Sequence, residues 1–344
     1  MAKVIFLDNG LTFDGTTIRK KALGGAESAL VNLAEALAAQ KHHVEVYNNC
    51  EKDVITHKVH WYSCKNAVPS DADLYIVNRD LKLFKKVPKG KQLVFWIHTP
   101  AQSFGKLRRR FTLWKYNPHV LFSSIYHLKT WPKSVTCRSK ILMPLSPDNV
   151  FLKLKPVKKA PRPKVIFLSN PLRGLDKLLD QWKENIHPKV PTAELHIFSG
   201  AKTYGNFGDK KASQMAPILK KARSYKRYGV IVNAPIAKPL LAKILPEFRL
   251  MMYQGDLSET YCLALAEAQA AGIPCVVGNL GCVSERIINK KTGFATISDE
   301  DFIAKSLLLL SDNKQWLKMS QCAAKTQKHW DWNKAARSLL ISLK

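Results

Sequence analysis

Short apolar runs alternate with amphipathic stretches along the whole chain. KVIFLD has strand length and ends in a loop, NGLTFDGTTIRKKALGG, before AESALVNLAEALAAQKHH. In the last of these, Leu30, Leu33, Ala34 and Leu37 recur at i, i+3, i+4 and i+7, one face of an α-helix. VEVYN supplies the next strand. Strand, loop, helix and strand form a βαβ unit, the start of a parallel sheet. DLYIVN, QLVFWIH, HVLFSS and ILMPL continue the series, separated by helical or basic connectors. FLKLKPVKKAPRPK then breaks it, rich in Lys and Pro with almost nothing to bury, and reads as a linker. VIFLSN, AELHIFSG, VIVNAP, RLMMYQ and IPCVVGN restart the rhythm, with GLDKLLDQWKENI and PLLAKILPEF as helices between them. The pattern predicts an α/β chain of two domains, 1–147 and 164–328, joined by a linker over 148–163. DWNKAARSLLISLK carries its apolar residues on one side, so 329–344 is expected to be a helix packing back on the N-terminal domain.

At 344 residues and 46% hydrophobic, the chain has enough material for two cores. Its charge is less ordinary: 55 Lys+Arg against 26 Asp+Glu give +29. Such a field concentrates anionic partners, whether nucleic acid, acidic membrane or phosphorylated substrate. Residues 81–147 hold fourteen basic residues and no acidic one, and 201–250 hold eleven against two. Over 251–300 the sign reverses, with three basic and six acidic. Seven cysteines, without a CxxC pair, read as reduced thiols with no metal site. The opening residues read as a strand and not as a secretory leader, and no apolar run has the length of a membrane span. A cytoplasmic location is expected, with any membrane touched and not crossed.

Three stretches can carry chemistry. In ALGGAES, Gly24 and Gly25 precede a helix, where a backbone can approach a phosphate; the same pair also makes a plain turn. In SNPLRGLDKLL, Arg173 follows a strand beside a Gly, and Lys177 lies one turn into the next helix, so both can meet an anion; Lys177 also reads as a solvated helix residue. In SETYCLALAEA, a helix starting near Thr260 would offer the amides of Thr260, Tyr261 and Cys262 at its positive end. Glu259 stands at its mouth and Glu267 eight residues on, an advance of ~12 Å with ~80° of rotation. Two carboxylates flanking helix amides suit an elongated ligand with a diphosphate at its middle and hydroxyls at both ends. The plainer reading makes Glu259 a helix-start acid and Glu267 a chance surface residue, although it lies among Leu263, Ala264, Leu265, Ala266 and Ala268.

This stretch resembles the E-x7-E motif of retaining glycosyltransferases of the GT-B fold, most of all glycosyltransferase family 4 (glycosyl transferases group 1). AQAAGIPCVVGNLGCVSE is similar to the segment that follows it in that family, with Glu285 matching its last acid. LGGAESALVNLAEALAAQKHHVEVY, FWIHTP, LFSSIYHLKTW, RGLDKLL and AELHIFSG resemble further family segments in the same order. The resemblance implies two facing Rossmann-like domains with a cleft between them, the acceptor on the N-terminal one and the nucleotide sugar on the C-terminal one. It implies hexose transfer from a nucleotide-diphosphate sugar to a glycan or lipid-linked acceptor, with lipopolysaccharide, capsule or other surface-glycan synthesis as the setting, and neither cofactor nor metal. Glu267 would hold the ribose hydroxyls, and Glu259 with the amides of Thr260, Tyr261 and Cys262 would meet the donor sugar and diphosphate. Arg173 would neutralise the leaving phosphate, helped by Lys177 and the Gly24–Gly25 loop, and His98 would face the donor sugar or acceptor. Two departures stand out. Asn170 is near where the family often has an arginine, and Thr-Tyr-Cys replaces the common Gly-Phe-Gly, which leaves the donor sugar open.

FGKLRRRFTLWKYNPH interleaves Lys106, Arg108, Arg109, Arg110 and Lys115 with Phe104, Phe111, Trp114 and Tyr116. That mixture suits an anionic membrane or acceptor surface on the cytoplasmic face; it equally describes a solvated basic face with inward aromatics. Two rival functions fit less of the chain. A nucleic-acid binder would explain +29, but no RRM, KH, zinc-finger or basic-zipper signature is present, and nucleic acid is not expected as a partner. A nucleotide-sugar epimerase on the same fold would need no acceptor.

Overall fold

The computed structural model describes residues 1–344, and the side chains of all but 202 and 204–210. The chain divides into two units: Met1–Leu145 with Asp331–Lys344, and Ser146–Trp330.

The first unit is built on eight strands: β1 Lys3–Leu7, β2 His43–Asn48, β3 Val54–Thr56, β4 Val59–Ser63, β5 Leu74–Asn78, β6 Gln92–Trp96, β7 His119–Phe122 and β8 Ser139–Leu142. They lie in the order β3-β4-β2-β1-β5-β6-β7-β8. Only β3, paired with β4, runs antiparallel. Val4 pairs with both Val44 and Leu74, so β1 is central and the strand order reverses between β1 and β5. Val4, Ile5, Phe6 and Leu7 are all buried, as expected of a parallel strand covered on both faces. The helix Gly25–Ala39 buries Leu30, Leu33, Ala34 and Leu37, the stripe its periodicity predicts. Against it packs the closing helix Trp332–Ser342, which buries Trp332, Ala335, Ala336 and Leu339. Gln40 and Gln92 add bonds to the carbonyls of Asn333 and Leu343, at 3.1 and 2.8 Å.

In the second unit the strands are β9 Lys164–Phe167, β10 Glu194–Phe198, β11 Val230–Asn233, β12 Leu250–Gly255, β13 Cys275–Leu280 and β14 Gly293–Ala295. Their order is β11-β10-β9-β12-β13-β14, all parallel, with the reversal between β9 and β12. A separate core includes Leu178, Trp182, Phe302 and Met319.

The stretch read as a linker is part of this unit. Asp148 caps the short helix Asn149–Leu152 by accepting the Val150 amide, which turns Phe151 fully into the core. Arg249 holds the other end of the stretch, with bonds to the carbonyls of Pro161 (3.1 Å) and Leu309 (2.7 Å). Val150, Leu152 and Leu154 also pack on this core, so the Lys/Pro segment is held by more than its composition suggests. Among the described residues, no helix is long and apolar enough to cross a membrane.

Candidate functional site

In open α/β sheets, ligands collect outside the carboxyl ends of the strands where the order reverses. In the second unit that point lies beyond Phe167 and Gly255. Asn170 Oδ1 accepts the Leu172 amide at 2.9 Å and closes the turn that carries Arg173. Gly174, at φ +76°, then swings the chain into the helix Leu175–Gln181. Arg173 Nη1 donates to Glu259 Oε1 at 2.6 Å, and the Tyr253 hydroxyl donates to the same oxygen at 2.7 Å. The Ser169 hydroxyl approaches it at 3.4 Å. Glu259 is 5% exposed, so this is a clamped, largely desolvated carboxylate. Burial and the Glu259 charge push the Tyr253 hydroxyl well above its usual range, which keeps it a donor. At Gly281, φ +68°, a Cβ would lie 2.2 Å from the Asp256 carbonyl, so only glycine lets this turn lie against the Glu259 loop.

Glu267, 2% exposed, projects from the helix Leu263–Ala270. Lys238 Nζ bonds both its oxygens, at 2.6 and 2.8 Å. Burial raises the Glu267 carboxyl above its usual range, and Lys238 offsets this only in part. The helix starts three residues later than expected. Cys262, at φ +63°, is its N-cap, so Thr260 and Tyr261 belong to the preceding loop and its first amide is that of Leu263. Tyr261 is instead buried beneath the Arg286 guanidinium, 4.2 Å from its ring centroid. Glu285 is exposed on the turn Val283–Arg286. Lys177 pairs with Asp299 at 2.6 Å, and its side chain is half-exposed.

A second cluster forms at the reversal point of the first unit. Asp8, fully buried just after β1, accepts Asn78 Nδ2 at 2.8 Å and Arg79 Nη2 at 2.7 Å. Arg79 also pairs with Glu27, in the first turn of Gly25–Ala39. Burial opposes the Arg79 charge, but Glu27 and Asp8 outweigh it and hold its pKa above the usual value. Arg79 has φ +65°, a left-handed conformation that costs a non-glycine residue about 1–2 kcal/mol. With Asn78 Nδ2 committed to Asp8, Asn78 Oδ1 is set to accept from His98 Nε2, 2.7 Å away. Desolvation, Arg79 and His127 hold His98 well below its usual pKa, so it is neutral at pH 7. Gly24 caps its helix with extended backbone, and a Cβ there would lie 2.4 Å from Glu27 Oε2. The positive end of that helix therefore already meets a carboxylate.

The basic stretch forms the helix Leu107–Tyr116, with Lys106 at its start. Lys106, Arg108, Arg109, Arg110 and Lys115 are exposed. Its aromatics divide: Phe104 is buried, while Phe111 (60% exposed) and Trp114 (66%) face solvent. Among the described residues, no group of three or more His, Cys, Asp or Glu could hold a metal ion.

Residues 243–327 match the family model of glycosyl transferases group 1. Sucrose-phosphate synthase from Thermosynechococcus elongatus has a similar structure, with TM-score 0.75 and 14% identity over 99% of this chain and 98% of that one. The chain has the GT-B fold, and its second unit carries a group 1 glycosyltransferase segment. Trehalose-6-phosphate synthase OtsA is similar at TM-score 0.75 and 11% identity, over 99% of each chain. Anabaena Alr3699/HepE, solved in complex with UDP and glucose, is similar at 0.70 and 13%, over 100% of this chain and 99% of that one. No curated protein matches the sequence.

The group 1 segment contains Lys238's partner Glu267 as well as Glu259, but neither Lys238 nor Arg173, which reach it from outside. Lys238, Tyr253 and Ser169 escape a reading by motif. Asp8, Asn78 and Arg79 do carry a signal: each stands at the carboxyl end of an apolar run.

Proposed function

We propose that this chain is a group 1 glycosyltransferase, moving a hexose from a nucleotide-diphosphate sugar to a glycan or glycolipid acceptor, with retention at the anomeric carbon and without a metal. The observation that carries this is the pair of buried carboxylates, Glu259 and Glu267, each held by a cation from another element. Lys238 takes two of the roughly four acceptor positions of Glu267, leaving capacity for two vicinal ribose hydroxyls. Glu259, held at Oε1, offers Oε2 to hydroxyls of the donor sugar. Charge develops on the departing diphosphate, and a preplaced cation there supplies much of the rate enhancement. Arg173 is that cation, and the amides at the start of Leu263–Ala270 stand with it. In the first unit, neutral His98 serves a sugar hydroxyl, and Asp8, through Asn78, fixes its tautomer. The exposed Leu107, Phe111 and Trp114 among cations suit transient contact with an anionic membrane where surface glycans are assembled.

The test is a thermal-shift panel of nucleoside diphosphates and sugar nucleotides, uridine compounds first, because HepE was solved with UDP. One of them should raise Tm by several degrees, and Glu267→Ala or Arg173→Ala should each abolish that rise. If both variants keep it, the site is misplaced. An α-linked product from an α-linked donor by NMR, unchanged by EDTA, checks retention and metal independence. Indifference to anionic liposomes at low salt would remove the membrane contact.

A further inference from the structure

The first unit contains a cavity of about 660 Å³ that the donor chemistry does not use. Phe104, Thr99 and Tyr116 line it together with six cations, Arg79, Lys82, Lys85, Arg108, Arg109 and Lys115. We propose that it holds the phosphoryl groups of the acceptor, a saccharide carrying a diphosphate or two phosphates. The proposal rests on the transferase reading and names the acceptor class that reading leaves open.

Charge carries the argument. Arg79 faces two carboxylates, Asp8 and Glu27, which more than neutralise it. The single acid in the wall, Asp80, accepts the Lys82 amide at 2.9 Å and Asn9 Nδ2 at 2.7 Å, which holds it to the backbone turn. The other five cations pair with no carboxylate among the described residues. The sequence supplies none nearby either, since 81–147 contains no acid. Asp80 offsets one of the five, so a net charge of about +4 surrounds the cavity, and an anion relieves the repulsion. A single phosphate carries only about −1.5 to −2, too little to balance them, whereas a diphosphate or two phosphates come closer. A volume of this size falls within the usual range for small-molecule sites, about 300–1,000 Å³.

Two arginines on the helix Leu107–Tyr116 add geometry to charge, because a guanidinium fork matches phosphate oxygens in pairs. Arg109 is already set: Nη1 donates to Ser103 Oγ at 2.5 Å and the guanidinium lies 5.8 Å from the Phe104 ring centroid. The cavity also adjoins the first unit's reversal point. Arg79 belongs both to its wall and to the Asp8–Glu27 cluster, and Thr99 directly follows His98. A phosphoryl group held here would leave the attached sugar beside the histidine proposed to serve its hydroxyl.

Isothermal titration of the full chain with inorganic pyrophosphate tests this, with the donor site first saturated by the nucleoside diphosphate that stabilises the protein most. One equivalent should bind at low salt. Arg108→Ala/Arg109→Ala and Lys82→Ala/Lys85→Ala, all at exposed positions, should each weaken it tenfold or more and leave the nucleotide's thermal shift intact. No pyrophosphate binding by the nucleotide-saturated protein, or equal affinity in both variants, overturns the proposal. So does loss of anionic-vesicle binding in the variants when pyrophosphate is ignored, which makes the surface a membrane contact. A soluble sugar diphosphate and the same sugar on a short isoprenoid diphosphate separate the two sources of the acceptor. Whichever is used should show a KM at least tenfold higher in the arginine variant, with kcat nearly kept. The transferase reading fails separately, if sugar nucleotides do not bind through Glu267 and Arg173.

Discussion

Glu267 and Lys238 show how little one residue reveals without its partner. An acid within LALAEAQA stands out in the sequence, because burying a carboxylate among Leu and Ala is unfavourable unless something bonds it. Its partner lies 29 residues upstream, and the fold alone brings the two together. Glu259 repeats the pattern, with Arg173 86 residues away. The two carboxylates are therefore legible in the sequence, but the helical spacing read between them is not, because Glu259 precedes the helix Leu263–Ala270, and their cations lie far off along the chain. Removing one partner of a buried pair leaves the other charged and unpaired, at a cost of about 3–5 kcal/mol. Lys238→Met should lose about that much at pH 7 in urea unfolding. The pH dependence has a defined sign. The folded Glu267 carboxyl already titrates above its ordinary value, and loss of Lys238 raises it further. A raised acid favours folding fully below its unfolded pKa, and that contribution is lost as pH rises through the folded value. The variant should thus approach wild-type stability below the ordinary carboxyl value of 4.5 and fall away as pH rises above it, whereas a purely steric defect would be independent of pH.

Elements were legible where burial makes them so. Parallel strands covered on both faces are continuous apolar runs, and VIFL, LYIV, CVVG and their like all became strands. The β3–β4 hairpin went unread because its two-residue turn, His57–Lys58, has positive φ at both positions without the usual Asn or Gly. The start of the helix Leu263–Ala270 differs from its sequence pattern for a related reason. Cys262 occupies a left-handed conformation where the family often has glycine, and the helix can begin only after it. The backbone at that position therefore prefers glycine, while the buried thiol contributes packing against the second core. Cys262→Gly gives up a small side chain and relieves about 1–2 kcal/mol of backbone strain, so it should stay within about 1 kcal/mol of wild type. Cys262→Val forces a β-branched residue into the same φ and should cost at least 2 kcal/mol. Thermal melts of the two variants check this; equal losses would mean that the thiol's packing, and not the backbone, governs the position.

At the scale of the molecule, charge and chain path divide the labour. Residues 81–145 of the first unit hold fourteen basic residues and no acid, and the acidic stretch 251–300 of the second, otherwise also basic, unit carries Glu259 and Glu267. That division was legible from composition. The strand orders that make two reversal points were not, because apolar runs do not say which neighbour each strand takes. The chain leaves the first unit after Leu145 and returns at Asp331, so its last helix completes the core of the unit it began. Trp332 is 2% exposed in the contact with Gly25–Ala39, and truncating a buried Trp costs about 3–5 kcal/mol. With a separate core in each unit, calorimetry should resolve two transitions. Trp332→Ala should lower one of them, and the stabilising nucleoside diphosphate should raise the other, because the residues proposed to bind it belong to Ser146–Trp330. A nucleotide shift confined to the transition that Trp332→Ala lowers would place the donor in the first unit and require Glu259 and Glu267 to be reassigned.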